Sequence, residues 1–215
     1  GDDFSLIDRA EFVGSSYQIH VSKMAIYVSK TWYDYDNFTY TQKTTITHVD
    51  ISDPAGNITV RGDITLPGSV FNRYQLDEYQ ETLRVVGHFW QNQSSNLWVV
   101  DVADPDNMTV LSGLQIDDAG SLMATRFAGN RAYAIHLPRT VDPLYVIDLE
   151  DPTNPVLCDI LEIPGWVTHM EVRGYKIVAI GVDDTDGWRA AVSLFDVSDA
   201  YNAVLKDRVL IGDSY

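Results

Sequence analysis

The sequence predicts an all-β fold of repeated four-stranded sheets. Three observations carry that prediction: one pattern recurs along the chain, its apolar runs have strand length and strand residue types, and no stretch of useful length has helix periodicity. The pattern is clearest over 141–165, VDPLYVIDLEDPTNPVLCDILEIPG. It recurs as ITHVDISDPAGNITVRGDITLPG from Ile46, LWVVDVADPDNMTVLSGLQIDDAG from Leu97 and VSLFDVSDAYNAVLKDRVLIGD from Val192. Each apolar run closes on an aspartate, Asp50, Asp101, Asp148 and Asp196, spaced 51, 47 and 48 residues apart. A second aspartate follows three residues later (Asp53, Asp104, Asp151, Asp199), and an asparagine (Asn57, Asn107, Asn154, Asn202) precedes the next apolar segment. Strand-like units with periods of roughly 40–50 residues are the signature of propeller blades. The expected fold is therefore a β-propeller array of four blades, each of four antiparallel strands.

Within the third unit the strands read as A over 123–127, B over 131–136, C over 144–149 and D over 156–161, with Gly129-Asn130 a hairpin signal between A and B. Strand B recurs at 25–28, 83–86 and 177–180. Strand C is apolar on both faces, as in Tyr145, Val146 and Ile147, which suits a sheet packed between two others. Strand D carries alternating polar residues, such as Thr59, Arg61 and Asp63 or Lys206 and Arg208, which suits an outer edge. Strand A is expected to line the axis. There the aligned positions hold Gln18, Asn72, Ala124 and His169, then His20, Tyr74, Arg126 and Glu171, a polar, unrepeated set suited to a wet channel. The blades fall at about 12–67, 68–119, 120–164 and 165–212. The last residues align with the junctions that open earlier blades, so the array is expected to belong to a longer propeller. A closed ring of these blades and a ring made by two copies are the alternatives, because blade faces need cover.

Composition narrows the partners. With 31 acidic against 15 basic residues the formal net charge is −16, a field that repels nucleic acid and anionic lipid. Nucleic acid is excluded as a partner on that ground. Membrane insertion is excluded because no apolar run approaches the ~18 residues of a span. The single cysteine, Cys158, lies in an apolar strand and is expected to be a buried thiol.

The stretch 126–165 closely resembles the secreted bacterial and archaeal β-propeller proteins distantly related to WD repeats. Within it LYVIDLEDPTNPV is similar to the LVIVD-type repeat. The resemblance extends more weakly over all four units. It implies a secreted or cell-surface location and a longer propeller, and brings no assigned activity. The fourth unit departs from the pattern by carrying Asp199-Ala200 in place of Asp-Pro, and the first has a longer segment between B and C.

The repeated aspartates read as caps of turns, because a need met identically in every unit is structural. Asp183-Asp184-Thr185-Asp186-Gly187 resembles part of a calcium loop, but Val182 holds the first ligand position and the twelfth is not glutamate. The stretch reads as an acidic hairpin tip, with Asp184 and Asp186 as candidate calcium ligands. No other cofactor is expected. The histidines His20, His48, His88, His136 and His169 have no zinc spacing, and no nucleophile elbow or phosphate-binding glycine loop occurs. Sequons stand at Asn37, Asn57, Asn92 and Asn107 and read as turn residues.

The clearest functional signal is geometric. In a meander the B-to-C loops and D-to-A junctions emerge on one rim, and insertions on one face mark a binding face. The B-to-C segments differ in length and gather aromatics: Trp32, Tyr33, Tyr35, Phe38 and Tyr40 in the first, Phe89 and Trp90 in the second, Trp188 in the fourth. The junctions add Asp117, Asp118 and Trp166. The leading expectation is a non-enzymatic module binding a protein or glycan through this aromatic and acidic rim, at Trp32, Tyr33, Tyr35, Trp90, Trp166 and Trp188. The same rings could instead pack on neighbouring blades. The rival reading is a hydrolase using carboxylates at the channel mouth, with Asp183 or Glu171 the residue whose change would abolish turnover, with or without a metal. Self-association through exposed end blades is a further expectation.

Overall fold

The computed structural model describes residues 8–9, 17–36, 39–117, 120–137, 142–185 and 187–212. These form four four-stranded antiparallel sheets, each a meander in chain order. Blade 1 comprises β1 (Tyr17–Val21), β2 (Ala25–Asp36), β3 (Thr39–Asp50) and β4 (Thr59–Pro67). Blade 2 comprises β5 (Leu76–Tyr79), β6 (Thr82–Phe89), β7 (Ser94–Asp101) and β8 (Thr109–Asp117), preceded by a 3₁₀ turn, Arg73–Gln75. Blade 3 comprises β9 (Ser121–Ala128), β10 (Arg131–Leu137), β11 (Asp142–Asp148) and β12 (Val156–Ile163). Blade 4 comprises β13 (Trp166–Arg173), β14 (Lys176–Asp183), β15 (Arg189–Asp196) and β16 (Val204–Ile211).

Successive blades stack face to face because their central strands are apolar on both sides. On β11, Tyr145 and Ile147 pack with Val86, Leu97 and Val99 of blade 2. Their neighbours Leu144 and Val146 pack with Met170 and Phe195 of blade 4. A third core joins Tyr27 and Ile46 of blade 1 to Leu83, Val85 and Val100 of blade 2. The central strands of blades 2 and 3 thus feed two cores each, as their unbroken apolar runs require. Among the described residues no core joins blade 4 to blade 1. Blade 4 accordingly leaves Ile180 and Val209 half exposed on its far face.

The aspartates do what their recurrence implies. Asp50, Asp101, Asp148 and Asp196 each accept a hydrogen bond from the backbone N–H two residues on, at 2.8–3.0 Å. Asp53, Asp104, Asp151 and Asp199 do the same in the next turn, at 2.8–3.1 Å. The side chain replaces a backbone acceptor and fixes the strand-to-strand connection in every blade.

Three local expectations need correction. The longer B-to-C segment of blade 1 is no loop, since β2 and β3 continue as 12-residue strands paired as far as Asp36 with Thr39. Asn72 and Tyr74 are not in strand A. Asn72 caps the 3₁₀ turn, its side chain accepting from the Tyr74 N–H while Gln75 reaches back to the Asn72 N–H, a reciprocal capping box. Cys158 is half-buried on the outer strand β12, not buried.

Candidate functional site

The extended β2–β3 hairpin gathers three exposed aromatics, the largest such group among the described rim residues. Side chains alternate along a strand, so Tyr33 and Tyr35 share the face of β2 that carries Tyr27, and their cross-strand partners Gln42 and Tyr40 share it too. Low on that face Tyr27 is sealed against blade 2. Higher up, Tyr33, Tyr35 and Tyr40 are 61%, 56% and 59% exposed. The Tyr35 and Tyr40 rings lie 4.6 Å apart.

Blade 2 supplies the floor beneath these rings. The Trp90 N–H donates to Gln42 Oε1 at 2.8 Å, and Gln91 Nε2 donates to the Tyr40 carbonyl at 2.6 Å. These bonds tie the hairpin to the blade 2 turn without covering its rings. Trp90 itself is braced edge-on by His88 at 4.5 Å and packed on Phe71 at 5.3 Å, yet stays exposed. The result is a step: a tyrosine wall, a tryptophan at its foot, and the amides of Gln42 and Gln91 at the corner. Burial pushes the pKa of His88 down, so it stands neutral under the step, hydrogen-bonded to Ser95.

The remaining rim candidates are placed differently. Trp32 is on the opposite face of the hairpin, where its indole N–H donates to Thr45 Oγ1 at 3.0 Å and Lys43 lies over the ring. It braces the hairpin, together with the Lys43–Asp34 ion pair. Trp166 and Trp188 meet edge to face at 5.3 Å on blade 4, with Trp188 the exposed member. The six candidates therefore divide into the step (Tyr33, Tyr35, Trp90), a separate blade 4 pair, and one brace. Gln42 and Gln91 lacked any sequence signal, because their role depends on two blades meeting.

Of the candidate calcium ligands, Asp184 is exposed and Asp186 lies outside the described residues. Asp183 is buried and committed elsewhere. It accepts from the Thr185 N–H and hydroxyl and faces Arg208 at 3.3 Å, which holds its pKa below the usual carboxylate range. Among the described residues no group of three or more His, Cys, Asp or Glu side chains converges.

At the axis, β13 approaches β9 and the 3₁₀ turn approaches both β1 and β9. Arg126 of β9 lies over the Tyr74 ring at 3.6 Å, and its guanidinium reaches His169 at 3.2 Å and Glu171 at 3.6 Å. Glu171 also accepts from His169 Nε2 at 2.8 Å, and that bond first, with the Arg126 charge after it, lowers the Glu171 pKa. Glu171 and Asp183 do not form a catalytic pair. Glu171 sits opposite Val178, and Asp183 lies five residues further along β14, about 17 Å at ~3.3 Å per residue. Paired glycosidase carboxylates lie only about 5–9.5 Å apart.

Comparison with known proteins agrees with this architecture. A family model described as a β-propeller domain matches residues 4–215. An uncharacterized protein of Methanocaldococcus jannaschii is 34% identical over 140 residues, covering 63% of this chain and 22% of its own length. An uncharacterized protein of Archaeoglobus fulgidus is 26% identical over 217 residues, covering 97% of this chain and 34% of its own. The chain thus spans about a third or less of the length of these curated relatives. Among solved structures, a Bacteroides fragilis protein described as a 6-phosphogluconolactonase aligns with 93% of this chain and 85% of its own at 10% identity and a TM-score of 0.44. The chain belongs to the β-propeller domain family.

Proposed function

We propose that this chain is a non-enzymatic binding module of a secreted or cell-surface propeller protein, and that it holds a protein or glycan partner on the aromatic step of blades 1 and 2. The observation that carries the reading is the exposure of Tyr33, Tyr35, Tyr40 and Trp90 on one continuous surface fixed by interblade hydrogen bonds. Tyrosine and tryptophan supply large, rigid contact area at low conformational cost, and the exposed Gln91 amide adds hydrogen-bonding capacity. Because the step is pinned before any partner arrives, little ordering remains for binding to impose. The net charge of −16 supports a surface setting and a partner without an anionic face. The resemblance of LYVIDLEDPTNPV to LVIVD-type repeats supports the same location.

The test compares the wild-type chain with a Tyr33→Ala, Tyr35→Ala, Trp90→Ala triple variant on a glycan array and against cell-surface protein fractions. The expected result is a saturable ligand in one of the two sets, lost in the variant while its melting temperature stays within a few degrees. Equal retention of that ligand by the variant contradicts the reading.

A further inference from the structure

A second site lies at the axis, away from the step. A cavity of about 330 Å³ opens between β1, the 3₁₀ turn and β9. Its walls are of two kinds. One side carries Ile19 and Val21, 52% and 60% exposed. The other carries Arg73 and Arg126, which are far apart in sequence and meet here around Tyr74, Arg73 donating to its hydroxyl at 3.0 Å.

The charge of this cavity opposes that of the chain. The one carboxylate among the described residues that line it, Asp77, is compensated by an ion pair with the buried Arg84. Glu171 sits outside the lining and is shared between His169 and Arg126, the latter contact being loose at 3.6 Å. Arg73 makes no ion pair with any described residue. A chain with 31 acidic and 15 basic residues thus places two arginines on one cavity without an equal number of free carboxylates. A structural lock between blades accounts for Arg126, whose guanidinium bridges to blade 4. It does not account for Arg73, which is exposed and holds nothing together except the tyrosine beside it.

We propose that the cavity is a binding site for a small organic carboxylate with an apolar body. Arg126 already gives Nη1 to the Thr125 carbonyl and Nη2 to His169, and contributes charge to the wall. The exposed Arg73 fork supplies the donors that match a carboxylate, and the apolar strand edge opposite takes the rest of the molecule. Burial of Arg126, which weakens its hold on its own proton, also strengthens any charge-assisted bond it makes. Inorganic phosphate would satisfy the arginines and leave Ile19 and Val21 uncovered, so the two-sided wall favours the carboxylate.

The experiment is a titration of the isotope-labelled chain with benzoate, following the Arg73 and Arg126 Nε–H signals by NMR, with benzamide and inorganic phosphate as comparisons. Benzoate is expected to shift both signals saturably, benzamide not at all, and phosphate at least about tenfold more weakly. Arg73→Met is expected to weaken benzoate about tenfold or more with an unchanged melting temperature, because that side chain is exposed. Arg126→Met is expected to do the same. If it fails to fold, the Arg73→Met titration decides alone. Unshifted arginine signals, equal binding of benzamide, tighter binding of phosphate, or full binding by Arg73→Met would each overturn the proposal.

Discussion

Tyr27 and Tyr33 lie on the same face of the same strand, six residues apart, yet one is wholly buried and the other is 61% exposed. Nothing in their own chemistry separates them. Where blade 2 stands opposite, the face becomes core; where β2 and β3 run on beyond blade 2, the same face becomes free aromatic surface. Ile135 and Ile180 repeat the lesson between blades. They hold equivalent places in β10 and β14, each paired with the strand that closes on the repeat aspartate, but Ile135 is sealed by blade 4 while Ile180 is half exposed. A blade pattern thus specifies a sticky face, and the reach of the neighbour decides whether that face stabilises the fold or remains open to a partner.

The largest expected effect breaks the first pair apart. Tyr27→Ala removes a fully buried ring and is expected to cost about 3–5 kcal/mol in denaturant unfolding, while Tyr33→Ala stays within about 0.5 kcal/mol. Similar losses at both would mean that the upper hairpin is also core. Next in size, Ile135→Ala is expected to cost about 2–5 kcal/mol and Ile180→Ala about 0.5 kcal/mol or less. An equal cost would show that the far face of blade 4 is covered in solution. Smaller again, Asp148→Ala removes one turn acceptor while leaving the sheets intact, an expected loss of about 0.5–1.5 kcal/mol.

How much of this was legible in the sequence follows from the same logic. The repeat and the doubly apolar C strands revealed the blades, and the aspartates revealed their turns, because both are local patterns. The hairpin extension is readable in principle, since Tyr33, Asp34, Tyr35 and Asp36 alternate with period two, but the excess length over the other units suggests a loop. The Asn72–Gln75 cap is likewise present as N-x-x-Q, but the repeat register places those residues in a strand. The division of the rim aromatics into a step, a pair and a brace was not legible, since it depends on strand parity at Trp32 and on where blade 2 ends. Nor was the arginine cavity, which joins Arg73 to Arg126 through a turn that the repeat does not contain.

The smallest effect is a pH dependence on the blade 4 rim. Asp183 is held ionised by the Thr185 bonds first and by Arg208 after, so its folded pKa lies below its unfolded value. The stability it contributes is present above about pH 4, the ordinary aspartate range, and is lost as pH falls through the lower folded value. Asp183→Asn is expected to flatten that acid limb in melts between pH 6 and pH 2. An unchanged limb would place the acid sensitivity elsewhere, and a comparable flattening from the exposed Asp184→Asn would do the same.

The central claim is that the overhanging tyrosine face with Trp90 is the surface that meets a partner. Hydroxyl-radical footprinting of the chain, alone and with the ligand recovered from the array or surface fraction, tests it most directly. The account predicts protection at Tyr33, Tyr35, Tyr40 and Trp90, with Trp188 and Tyr201 as reactive as before. Protection confined to Trp188, or to the outer strands, with the step still fully reactive would contradict it.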